Sequence, residues 1–115
     1  MSLTGLMRTG AEVRRATPEV LDTGEVTLTW ETAGEVRCAV VRAEGGVARG
    51  ASGELVRVDA VAYLPRGAEL RPASPGETPD RLVTADATYE VVFVDAGSGP
   101  RSPVRAGLRA LREEA

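Results

Sequence analysis

Few side chains in this sequence can move a proton or attack a carbonyl. Among its 115 residues there is no His and no Lys, so the groups that most often do acid–base work near neutral pH, and the amine that forms Schiff bases, are missing. Carboxylates are left. Asp59, Asp80, Asp86 and Asp95 could supply the pair that a glycosidase-like reaction needs. Against that, Asp86 falls in a stretch that reads as a turn, while Asp80 and Asp95 flank strands, where acidic residues are common. The single Cys38 has no partner for a disulfide or a thiolate metal site and reads as a buried, reduced thiol. Gly45, Gly46, Gly50 and Gly53 have neither the GxxxxGK(S/T) spacing nor the strand–GxGxxG–helix setting of phosphate-binding loops. Trp30, Tyr63, Tyr89 and Phe93 are the only rings. Most of them lie on apolar alternations that predict core positions, which leaves little for stacking against single-stranded nucleic acid. The residue types therefore predict no catalytic site, no cofactor and no metal. A structural or binding role remains.

The elements that would carry such a role must come from one small domain, because a chain of 12.0 kDa supports a single core. Hydrophobic residues make up 43% but aromatic ones only 3%, so the core is expected to consist of Val, Leu and Ala, giving a thin fold that gains from a partner. A net charge of −3 argues against a free-standing nucleic-acid binder, which carries a basic excess to displace counterions. All 14 basic residues are Arg, and Ile, Asn and Gln are absent as well. That pattern is what a GC-rich coding bias produces, so no chemistry is read from Arg replacing Lys. No run approaches the roughly 20 apolar residues of a membrane span, and the opening MSLTGLMRTG resembles no signal-peptide core. The protein is expected to be made and kept in the cytoplasm.

Along the chain the dominant signal has a period of two. Residues 1–10 carry Leu3, Leu6 and Met7 at helix-like spacing and read as a short turn of helix, an arm that docks on a neighbour, or an unfixed terminus. Glu12–Leu21 reads as a strand in which Pro18 marks an edge or bulge, and Asp22-Thr23-Gly24 as a tight turn. Val26, Leu28 and Trp30 alternate with Thr27, Thr29 and Glu31, which predicts a strand with those three apolar residues buried. Ala33-Gly34 reads as a second turn, followed by a third strand through Val36, Cys38 and Val40 to Arg42. Residues 43–54 hold four glycines and read as a mobile loop with little to anchor it in a core. The β pattern resumes from Leu55 to Leu64 and stops at Pro65. Residues 65–79 contain four of the seven prolines and predict an extended connection. Asp80–Thr84 and Thr88–Asp95 form a hairpin whose second strand is apolar on both faces, as a doubly covered strand would be. The tail, 103–115, fits either a strand or a short helix from Val104; Gly107 counts against the helix, and a strand is preferred. The expected fold is mostly β: a small antiparallel barrel or sandwich, SH3-like, with long loops.

Taken in order, VTLTWETAGEVRCAVVRA, EGGVARGASGE, ELVRVDAVAYLPRGAEL and PDRLVTADATYEVVFVD resemble the head-completion proteins of tailed bacteriophages, also called head-closure, stopper or head–tail joining proteins. The resemblance runs from about Glu12 to Asp95. It implies a small β domain that assembles into a homo-oligomeric ring in the virion neck, between the portal or adaptor and the tail. Such a ring closes the DNA-filled head, offers a docking face to the tail, and lets DNA pass without sequence-specific binding. By position, Glu44, Gly45, Gly46, Arg49, Gly50, Ser52 and Glu54 resemble the loop that faces the channel, and residues 65–79 resemble a connection used in subunit contacts. This loop is short and rich in Gly and Ala, whereas a plug is better served by bulkier polar side chains. A mild acidic balance suits a conduit for DNA. Two other readings stay open: a tail-terminator or minor tail protein, and a cytoplasmic SH3-like peptide-binding module, which would need an exposed aromatic groove.

Overall fold

The computed structural model describes residues 9–97 and 102–111. Within them the protein is mostly β, with strands β1 (Thr9–Val20), β2 (Val26–Arg42), β3 (Val47–Arg49), β4 (Leu55–Arg57), β5 (Ala60–Leu64), β6 (Arg81–Val83), β7 (Thr88–Asp95) and β8 (Val104–Leu111). Six of them form one antiparallel sheet in the order β1-β2-β5-β8-β7-β6, which curls until β6 pairs with β1. This is the small barrel expected from the alternation. The tail that fitted two patterns is strand β8. Leu3, Leu6 and Met7 lie outside the described residues, and Thr9 and Gly10 already belong to β1. Among the described residues no helix is long and apolar enough to cross a membrane.

Aliphatic side chains fill the barrel: Leu64, Leu82, Leu108, Val91, Ala62 and Ala106 are all fully buried. No ring belongs to this fully enclosed set; Tyr89 packs against its margin. A second cluster lies on the outer face of the sheet, where Phe93 packs with Val58 and Val61. Two devices place it there. A bulge at Val92, where pairing passes from Val91↔Leu108 to Phe93↔Gly107, puts Val91 inside and Phe93 outside. Gly107 then leaves room for the ring, since a Cβ at that position would sit 2.1 Å from Phe93 Cε2. The doubly covered strand predicted for Thr88–Asp95 is β7.

The segment expected to be an unanchored loop is the cover of this outer cluster. Glu44–Gly46 form a 3-10 turn, β3 and β4 pair as a short hairpin, and Ala48 and Val56 on its inner side pack against the Phe93 cluster. Glycine content suggested mobility, but here it serves turns: Gly45 and Gly46 have φ of 66° and 71°, the left-handed region that glycine enters at little cost. The single strand expected from Leu55 to Leu64 is divided at Val58–Asp59, where the chain passes from this outer hairpin into the barrel wall.

The largest departure from the sequence reading concerns Val26–Arg42. Ala33-Gly34 is not a turn. β2 is one strand of 17 residues, and its pairing with β1 steps from Val13↔Gly34 to Arg14↔Thr32, which leaves Ala33 as the extra residue of a β-bulge. A one-residue slip transfers every later side chain to the opposite face. Val36 and Cys38 therefore face the barrel interior, while Trp30, Leu28 and Val26, at positions of the same parity, face outward. The predicted burial of Val26, Leu28 and Trp30 is overturned: Val26 and Leu28 are 62% and 46% exposed, and Trp30 is only half-buried.

Candidate functional site

Beyond Arg14, strand β1 loses β6 as a neighbour, and β2 gains β5 only from Ala39 onward. Residues 15–32 thus leave the barrel as a two-stranded ribbon, the arm, whose outer edges have no strand partner among the described residues. The molecule is accordingly elongated, 55 × 34 × 28 Å. Cross-strand pairing sorts the arm into two faces. Ala16↔Trp30, Pro18↔Leu28 and Val20↔Val26 make one face apolar; Arg15↔Glu31, Thr17↔Thr29 and Glu19↔Thr27 make the other polar. Val20 is 71% exposed. Pro18, read from sequence as an edge residue, lies on the open side of β1, where its missing N–H breaks no ladder.

The root of the arm is fixed by charge. Arg15 donates from Nε and Nη2 to the two carboxylate oxygens of Asp80, at 3.1 and 2.9 Å, and Asp80 is fully buried. The Arg71 backbone N–H donates to the same carboxylate at 2.9 Å, and the backbone N–H of Asp80 donates to Arg71 O at 2.8 Å. The bidentate bond to Asp80 holds the Arg15 guanidinium even more firmly protonated than usual. One carboxylate therefore ties the arm to the Pro-rich connection. Trp30 lies on the outer side of the root, with the Arg81 guanidinium 4.0 Å from its ring centre, in cation–π stacking.

The carboxylates singled out as chemical candidates are dispersed. Asp80 is the clasp just described. Asp95 accepts hydrogen bonds from the Gly97 N–H at 3.0 Å and Arg105 Nη2 at 3.1 Å, which hold its carboxyl below the usual range. Asp59 accepts the Ala110 N–H at 2.8 Å, and Asp86 sits in the β6–β7 turn, whose N–H groups are gathered by the Thr84 hydroxyl. Each has a local structural partner or turn role. Cys38 is fully buried, and desolvation pushes its thiol up from the ordinary range. Among the described residues no three His, Cys, Asp or Glu side chains gather as a metal site would require.

The residues matched to a channel loop lie in a 3-10 turn and in the β3–β4 hairpin that follows it. Glu44, Gly45 and Gly46 make the 3-10 turn. Arg49 ends β3 and donates to Gly53 O at 3.0 Å. Gly50 is buried and closes the hairpin through its N–H to Glu54 O at 2.7 Å, while Ser52 and Glu54 are exposed. Sequence reasoning missed the arm's apolar face altogether. A signal for it existed: an isolated Gly inside an alternating pattern is a bulge marker as much as a turn marker. No family model matches the chain, and no curated protein matches its sequence.

Proposed function

We propose that this protein is a structural subunit of a tailed-phage neck, forming a homo-oligomeric ring between portal or adaptor and tail that closes the filled head and presents a docking face to the tail. The observation that carries this reading is the arm. A ribbon with an apolar face and two edges unpaired among the described residues, clasped at its root by Arg15 and Asp80, has its contacts completed by a neighbouring chain. The barrel supports it too, because its thin core of Ala, Val and Leu stands to gain from burial between subunits. The resemblance of residues 12–95 to head-completion proteins supplies the virion setting.

The test is negative-stain imaging of the purified chain, alone and mixed with portal–adaptor rings, alongside light scattering. Rings of the chain, or density added to the connector, are expected. A monomer that leaves the connector unchanged would remove the reading, and caps on isolated tail tubes would move the protein to the tail terminus.

A further inference from the structure

The β3–β4 hairpin also has an outward face. Its inner side chains, Ala48 and Val56, rest on the Phe93 cluster, so the opposite face carries Val47 paired with Arg57 and Arg49 paired with Leu55. Val47 and Leu55 are 41% and 68% exposed. Neither Arg49 nor Arg57 has a carboxylate partner among the described residues. The arm offers the converse. Its apolar face ends at a tip bearing Asp22 and Glu25, with Glu19 on its polar side, and none of the three is in an ion pair among the described residues. One chain thus presents an apolar surface tipped with acids and an apolar surface studded with arginines.

These surfaces cannot meet within one molecule. They lie at opposite ends of β2, whose 17 residues at about 3.3 Å each span on the order of 55 Å, the full long dimension of the protein. We propose that the arm of one copy docks on the outward β3–β4 face of the next, placing Val20, Val26 and Leu28 against Val47 and Leu55 and setting Asp22 and Glu25 near Arg49 and Arg57. The contact is heterologous, and such contacts propagate into a closed ring or an open filament according to the rotation between copies. Ring closure rests on the proposed function; the contact itself does not.

Two charge-reversed variants test it, Asp22→Arg/Glu25→Arg on the arm and Arg49→Glu/Arg57→Glu on the acceptor, compared with wild type by light scattering across a concentration series. Each alone is expected to weaken self-association by on the order of a hundredfold, since like charges face each other across the contact. Mixed one to one they are expected to reassociate, because each arm then meets an acceptor of opposite sign. Unchanged urea midpoints would show that both variants fold. Overturning results are a wild type that stays monomeric at every concentration, variants that assemble like wild type, or a mixture that does not reassociate. Filaments dispersed by the same reversals would keep this contact and remove the ring. Rings indifferent to the reversals would keep the ring and remove this contact.

Discussion

Among the described residues two hairpins leave the barrel of this protein, and they resolve the same problem in opposite ways. The β3–β4 hairpin is three residues per strand and folds down on Phe93. The arm is far longer and carries a richer apolar face, and beyond its root, where Arg15 meets Asp80 and Trp30 meets Arg81, Val20, Val26 and Leu28 stay exposed. Apolar content therefore does not decide which hairpin is covered. What decides is where each root points its faces: the break at Val58–Asp59 turns Ala48 and Val56 inward, whereas the bulge at Ala33 turns Val26, Leu28 and Trp30 outward. A hairpin that packs on its own barrel contributes to folding stability. One that does not is available for assembly.

Substitutions at the roots and faces should separate these roles. The largest effect is expected for Arg15→Ala at the arm's root, which leaves the fully buried Asp80 with only the Arg71 N–H. Asp80 is fully buried but the Arg15 side chain is 26% exposed, so the loss is expected to be about 2–3 kcal/mol, read as a fall in the urea midpoint with little change in slope. A loss within about 0.5 kcal/mol would show that the clasp is dispensable. Gly107→Ala acts under the β3–β4 cover by driving a methyl into Phe93, with an expected cost of about 1–3 kcal/mol. A matched pair sharpens the contrast between the hairpins: Val56→Ala should cost about 1 kcal/mol of monomer stability through lost packing, and Leu28→Ala less than about 0.5 kcal/mol. Equal losses at the two positions would mean that the arm's face is covered within the monomer.

The smallest effect concerns pH. The carboxyl of Asp95 is lowered in the fold, first by the Gly97 N–H and then by Arg105, so its contribution is present above the unfolded value of about 3.9. It is lost as pH falls through the lower folded value. Urea midpoints between pH 5 and about 2 should decline more steeply for wild type than for Asp95→Asn. Parallel curves would show that Asp95 contributes nothing.

Much of the barrel was legible in the residues. Alternation located β1, β7 and the β6–β7 hairpin, Pro65 marked the end of β5, and the apolar character of both faces of β7 announced a strand covered on each side. The candidate surfaces were not legible, for one reason in both cases. Periodicity gives the parity of side chains relative to their own neighbours along the strand, but not which way that parity faces after a bulge. Val26, Leu28 and Trp30 share parity with Val36, Cys38 and Val40, and only pairing with β1 shows that Ala33 separates the two sets. Likewise the glycines of 43–54 marked turns correctly, yet whether the strands between them would drift or pack depended on Phe93, about forty residues away in sequence.

By itself the sequence determined that this would be a small β protein with a core of Ala, Val and Leu, without His- or Lys-based chemistry and with an unpaired cysteine. Those properties follow from residue types and from an alternation that each strand carries locally. Only the tertiary structure decided that a ribbon leaves the barrel, which of its faces looks outward, and that an apparent loop became a lid over an outer cluster. Those outcomes depend on register between distant strands, where a shift of one residue exchanges inside for outside.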